Sequence, residues 1–248
     1  MSMKKYISIL AVALVALFAT SCELEGGTEP NPNRANQNLW NRVQYSLDSQ
    51  YQYVAAVAHL NDTLCGVEDT NLFYQGCEIA KYEDTYTLYY SGQNCTYKIV
   101  TAGTLLSEGG EWAVYAKYGS YMGFKRMGKA TGIAGDATKF VLELEDTEGV
   151  SFAYYDILKS EVAYSLNSSE GCLDVTYNSV EGYSTERHDS VPDYSIEFNL
   201  VEPMVLCDGI RQSGEVYIHY KDYVLHTERA LKVKIANKFI TFVPQKLD

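Results

Sequence analysis

Four histidines are the first groups to weigh for catalysis or metal binding: His59, His188, His219 and His226. His188-Asp189-Ser190 brings together the three side-chain types of a nucleophilic triad. Neighbours in an extended chain point to opposite sides, whereas a triad is assembled from distant positions. No Gly-x-Ser-x-Gly turn accompanies the tripeptide, so a solvated loop is expected. His219 and His226 differ by an odd offset, which on one strand puts them on opposite faces and argues against a shared metal. Glu143, Glu145, Asp146 and Glu148 form an acidic cluster. Glu143 and Glu145 fall on one strand face, as a working carboxylate pair requires. Gly149 gives only a faint trace of a calcium loop, and a solvated strand end and turn is the expectation. The chain has no phosphate-cradling glycine loop and no dinucleotide fingerprint. No catalytic, cofactor-binding or metal-binding residue is assigned, no cofactor is expected, and the sequence favours a non-enzymatic role.

Tyrosine is the compositional outlier, at 22 residues. Strand phase places Tyr115 and Tyr217 outward, where a ring can stack on a sugar or anchor a protein partner. The plainer account is that tyrosine forms strands well and is often half-buried in any sheet. Of the 6 cysteines, Cys22 stands apart near the start, leaving Cys65, Cys77, Cys95, Cys172 and Cys207. None forms a Cys-x-x-Cys pair, so a zinc ribbon or thioredoxin-type site is unsupported. Outside the cytoplasm disulfides are permitted. Cys65 and Cys77, close in sequence and flanking a loop, are the first choice for a bridge. Buried thiols acting as small apolar groups are the alternative.

These groups are positioned by one helix and many strands. From Gln37 to Leu60, Trp40, Val43, Leu47, Tyr51, Val54 and Ala58 recur at helical steps, which puts them on one face for docking to a core. Asn36 or Asn38 supplies the start and Asn61-Asp62 the end. After Gly66 the period becomes two. Trp112, Val114, Ala116 and Tyr118 alternate with Glu111, Ala113, Tyr115 and Lys117. Similar alternation runs through Phe140–Glu145, Leu173–Asn178, Ser195–Leu200 and Leu231–Ile235. One buried and one wet face implies antiparallel sheet. Ala236-Asn237-Lys238 reads as a hairpin turn before a last strand from Phe239 to Val243. Glycine-bearing breaks at Ser107–Gly110, Gly132–Gly135 and Ser168–Gly171 separate the runs. The fold class is mainly β: an N-terminal amphipathic helix followed by an antiparallel sandwich or barrel-like sheet or sheets, with about a dozen short strands.

The start of the chain has a different character. Met1-Ser2-Met3-Lys4-Lys5 precedes an apolar run from Ile7 to Ala19 that is too short to span a bilayer and has the pattern of an export signal. It ends in Phe18-Ala19-Thr20-Ser21-Cys22, which resembles a bacterial lipobox. Small Ser21 and Cys22 fit that pattern, while Ala19 stands where leucine is commoner. The resemblance implies cleavage before Cys22 and lipidation of its thiol, with two or more acyl chains (palmitate-type) holding the protein to the membrane, since one chain attaches only marginally. Glu23-Leu24-Glu25-Gly26-Gly27-Thr28-Glu29-Pro30-Asn31-Pro32 has the composition of a flexible tether. Acidic residues just after the cysteine resemble the surface-export signal of Bacteroidota-type lipoproteins. Asp62-Thr63-Leu64 and Asp189-Ser190-Val191 are similar to the O-glycosylation acceptor signal of the same group, making Thr63 and Ser190 candidate acceptors in expected loops.

The organisation expected is therefore a signal peptide over 1–21, an acidic flexible tether over 22–36, and a helix plus antiparallel β domain over 37–248, with a weak divide near 158–160. A net charge of −12, more acidic still once Lys4 and Lys5 leave with the signal, makes nucleic acid an unsuitable partner. The resemblance implies an outer-membrane, cell-surface protein anchored by lipid, with the periplasmic face as the alternative. The function expected is a non-enzymatic binding or structural module with a glycan or protein partner. The alternatives are a glycan-acting hydrolase and a subunit of a fimbria-like surface assembly.

Overall fold

The computed structural model describes residues 32–66, 78–83, 85–91, 95–101, 103–118, 123–145, 157–167, 172–188, 191–207 and 209–246. The signal peptide and residues 22–31 of the expected tether, Cys22 among them, lie outside these residues, while 32–36 belong to the first helix. Residues 36–248 form one compact unit. Most of a helix, α1, Pro32–Leu64, belongs to it, and this helix reaches beyond the expected 37–60 at both ends. No helix among the described residues is long and apolar enough to cross a membrane.

Among the described residues twelve strands follow, each hydrogen-bonded antiparallel to the next. They are β1 Glu78–Tyr82, β2 Thr85–Ser91, β3 Cys95–Thr101, β4 Glu111–Tyr118, β5 Lys125–Ile133, β6 Asp136–Glu145, β7 Ile157–Asn167, β8 Cys172–His188, β9 Val191–Cys207, β10 Ile210–Asp222, β11 Thr227–Ala236 and β12 Phe239–Gln245. The expected antiparallel β-structure is thus a single sheet that stays open, with β1 and β12 as its edges. In place of a second sheet, α1 covers the inner face. The stretch 158–160 lies within β7, paired to β6 and β8. The Asn237-Lys238 turn has φ values of 50° and 70°, the left-handed pair that a tight two-residue hairpin requires, so the expected last hairpin forms.

Alternation decides which face is which. Trp112, Val114 and Ala116 of β4, Phe140, Leu142 and Leu144 of β6, and Leu173, Val175 and Tyr177 of β8 are all buried, in the phase read from the sequence. One register line crosses the whole inner face, from Ile79 and Leu88 through Ile99, Val114, Gly128, Leu144, Leu158, Gly182, Phe198, Ile218 and Leu231 to Pro244. At Gly182 a Cβ would stand 2.0 Å from Cζ of Phe198, so the ring of Phe198 rests directly on that backbone. The apolar side chains of this face and of α1 make one cluster.

The helix departs from the expected single stripe. Every residue from Tyr53 to Asp62 is buried, which requires the sheet to curl around α1. Ala55, Ala56 and Ala58 keep the helix thin enough for this. The polar members of the buried run must then find partners inside. Asn61 Nδ2 donates to Ala137 O and to Tyr164 Oη, both at 2.8 Å, and Tyr164 Oη donates to Asp62 Oδ1 at 2.8 Å. Gln50 Nε2 donates to Ser160 Oγ. Nearer the start of α1, Arg211 of β10 pairs with Asp48 and donates to Gln44 O at 3.2 Å. These contacts fix the helix against β6, β7 and β10 and leave the opposite face of the sheet to solvent.

Candidate functional site

Because α1 fills the inner face, chemistry with an outside molecule falls to the outer one. Register brings two rows of outer side chains together there. The first runs Glu78 (β1), Tyr89 (β2), Lys98 (β3), Tyr115 (β4), Arg126 (β5), each residue directly opposite the next. Opposed side chains in a sheet lie about 5 Å apart, so rings and cations alternate at contact distance. Lys98 Nζ lies 5.8 Å from the centre of the Tyr89 ring, 5.7 Å from Tyr115 and 5.7 Å from Phe124, which precedes β5. The rings of Tyr89 and Phe124 are 6.0 Å apart, tilted by 57°. Lys117, farther along β4, places its ammonium 6.0 Å from the Phe124 ring. Tyr89, Lys98, Tyr115, Lys117 and Phe124 are half-buried and Arg126 is exposed.

The second row carries ion pairs across the middle of the sheet. Lys129 of β5 meets Glu111 of β4 at 3.0 Å and Glu143 of β6 at 3.5 Å, and Lys159 of β7 meets Glu143 at 3.4 Å. Arg126 Nη2 reaches the same Glu111 at 3.9 Å. The Glu111 carboxylate that accepts its hydrogen bond, reinforced by the charge of Glu143, holds the Lys129 ammonium above its ordinary range. It is therefore a fixed positive charge and no proton acceptor near neutral pH. Between the rows lies an open groove of about 350 Å³ lined by Glu111, Arg126, Gly128, Lys129, Glu143 and Glu145. A bulge shifts the register of β5 between the partners of Val114 and Tyr115. Gly128 has a φ of 154° and no room for a Cβ, which would sit 1.9 Å from Glu143 O. Bulge and glycine together bend β5 away and open the groove.

The residues singled out from sequence are spread over this frame. Tyr115 and Tyr217 both take outward positions, half-buried. They lie on β4 and β10, about 29 Å apart measured across the strands, so one small ligand does not touch both. Tyr217 has Asn199 and Lys232 as its neighbours, and Lys232 is neutralised by Glu215 at 3.0 Å. Glu143 and Glu145 share the groove wall as expected, with Asp146 and Glu148 outside the described residues. Thr63 does not occupy a loop. It sits in the last turn of α1, exposed, its hydroxyl donating to His59 O at 2.9 Å, because the helix continues past Asn61-Asp62. Cys65 is exposed in the turn after α1, and burial together with the nearby Asp62 charge raises its thiol pKa. Cys77 and Ser190 lie outside the described residues. His188 closes β8, and β9 starts at Val191.

His219 and His226 do not share a strand. His219 is on β10, with Nε2 at 2.6 Å from Glu228 and Nδ1 at 3.9 Å from Glu197, while His226 occupies the turn before β11 with a φ of 51°. No cluster among the described residues has the donors for a metal ion. No protein family, characterised protein or solved structure matches this chain. Its surface chemistry has to carry the functional reading.

Sequence reasoning found Tyr115 but missed Tyr89, Lys98, Phe124 and Arg126. The available signal was the alternation Thr96, Lys98, Val100 in β3 beside Tyr89 in β2. What makes these residues one site is strand register, and no local pattern encodes that.

Proposed function

We propose that this chain is a lipid-anchored cell-envelope protein whose β domain is a non-enzymatic binding module for an extended glycan, held on the outer face of the sheet around Tyr115. The signal ending at Cys22 and the acidic tether support the anchor and a location at the outer membrane, facing the cell surface. One observation supports the ligand class: a solvated cross-strand row in which rings on β2 and β4 alternate with cations on β3 and β5. Rings on a rigid sheet offer flat apolar contact with polar tips, which suits a sugar's alternating apolar and hydroxylated surface. Among the described residues nothing covers this face, and an open face accommodates the middle of a polymer as easily as its end.

The test compares two tyrosines. Affinity electrophoresis through gels carrying different polysaccharides identifies a ligand. Tyr115→Ala should then weaken retention about tenfold, the value of one good aromatic contact, while Tyr217→Ala changes it little. Equal losses in both variants, or none in Tyr115→Ala, would remove the site from the β2–β5 face.

A second reading, membership of a larger surface assembly, is favoured by β12. This edge strand exposes Phe239, Ile240 and Val243 beside unpaired backbone groups, a template for strand addition. Light scattering over a wide concentration range separates the readings, since assembly makes mass concentration-dependent.

A further inference from the structure

The row around Tyr115 carries more information than a ligand class. We infer that its ligand is a polyanionic glycan with one negative charge per disaccharide, lying across β2–β5 at right angles to the strands. This rests on the glycan reading above and specifies the sugar's charge and direction.

The chain has a net charge of −12, so cations left without a carboxylate are out of keeping with the rest of it. Among the described residues neither Lys98 nor Lys117 has an ion pair. Both ammonium groups lie against aromatic rings, at 5.7 to 6.0 Å. Contact with a ring's π face draws a cation in but cancels none of its charge. Arg126 is only partly neutralised: among the described residues its one ion pair is with Glu111, 3.9 Å away and held at 3.0 Å by Lys129. Three positive charges thus surround Tyr115 and Phe124, and among the described residues their one ion pair is the shared contact of Arg126 with Glu111.

A neutral sugar laid on this row would replace water at the Lys98 ammonium with hydroxyl acceptors alone and supply no counter-charge, which is unfavourable for a cation. A carboxylate or sulfate over Lys98 supplies the missing partner and makes a charge-assisted hydrogen bond.

Spacing then sets the period and the direction. Lys98 on β3 and Arg126 on β5 are two strands apart, as are Tyr89 on β2 and Tyr115 on β4. Two strand spacings come to about 10 Å, the length of a disaccharide in an extended chain. The cations therefore repeat once per disaccharide, and the rings repeat with the same period one strand out of step. A polymer lying across the strands meets ring, cation, ring, cation in sequence. An alternating uronic-acid glycan presents a sugar face and an anionic group in that order. A polymer lying along one strand would meet only one member of the row.

The experiment uses the detergent-solubilised protein and three probes in titration calorimetry: a hyaluronan decasaccharide, with one carboxylate per disaccharide; N-acetylchitohexaose, which is neutral; and poly-L-glutamate. Hyaluronan should bind, chitohexaose should bind at least tenfold more weakly, and affinity for hyaluronan should fall as salt rises. Lys98→Gln and Arg126→Gln should each cost about tenfold or more, the value of a hydrogen bond to a charged group. Lys98→Arg should retain most of the binding, which separates charge from fold damage, and Lys232→Gln on the same face should change nothing.

Equal binding of chitohexaose and hyaluronan, still dependent on Tyr115, would overturn the anionic assignment and leave the glycan reading intact. Binding of neither sugar would overturn both. Tighter binding of poly-L-glutamate than of hyaluronan would assign the row to an acidic peptide and overturn the inference. Unchanged hyaluronan affinity in Lys98→Gln would overturn it as well.

Discussion

Replacing Gly182 by alanine tests whether the sheet is held in its curve by the contact between β8 and β9. The added Cβ would stand 2.0 Å from Cζ of Phe198 and 2.4 and 2.5 Å from its two ε carbons. Ordinary contact begins at 3.4 Å, so the ring must retreat by more than about 1 Å, well up the repulsive wall. It has little freedom to do so, being only 3% exposed and on the same register line as Ile218. Overpacking of this kind costs about 1–3 kcal/mol. Alanine returns about 0.4–1 kcal/mol by restricting the unfolded chain, which leaves a net loss near 1–2 kcal/mol. The decisive measurement is the same substitution with Phe198 already removed. Phe198→Ala alone should cost about 3–5 kcal/mol through the cavity it leaves. In that background the new methyl enters empty space, so Gly182→Ala should become neutral or stabilising. Urea denaturation of the four proteins followed by tryptophan fluorescence gives all the terms. A change of sign between backgrounds supports the contact as described. Additive losses, with Gly182→Ala equally harmful in both, would show that Phe198 does not rest on Gly182.

Asp62 gives a prediction for pH. Burial pushes its carboxyl above the ordinary range, against a smaller downward pull from the Tyr164 hydroxyl that donates to it. A carboxyl with a raised folded-state pKa takes up a proton on folding, so its contribution is fully present below the unfolded pKa and lost as pH rises through the folded one. Asp62→Asn should therefore flatten the decline in thermal midpoint between mildly acidic and neutral pH. A slope identical to that of the unchanged protein would refute the assignment. For the anchor, Cys22→Ser should move the protein from the membrane to the soluble fraction of lysed cells, whereas unchanged partitioning would reject lipidation at that residue.

Local and non-local information divide cleanly in this chain. Period-two alternation named the inner face of β4, β6, β8 and β11 correctly, because each strand has one wet side and solvent imposes a binary choice on every residue. Helical spacing found α1 but described only half of its environment. Leu47, Val54 and Ala58 form a stripe, yet the polar Gln50 and His59 are buried too, as are Asn61 and Asp62, which the sequence placed at the helix end. The burial of Gln50, Asn61 and Asp62 is offset by Ser160, Ala137 and Tyr164, residues far off in sequence whose arrival depends on the curl of the sheet. The long strands β8 and β9 were seen only in part, since register shifts between Tyr177 and Glu181 break the alternation that would announce them. The candidate site is the extreme case. Tyr89, Lys98, Tyr115 and Arg126 carry no common spacing, because the turns between their strands differ in length. They become neighbours through three successive pairings, and a slip of one residue in any of them would turn the ring or the cation into the core. The inner row prevents that slip: Leu88, Ile99 and Val114, one residue away from Tyr89, Lys98 and Tyr115, are fully buried, so the energy that fixes the core fixes the register of the surface row with it. The binding face is thus specified by residues that never touch a ligand.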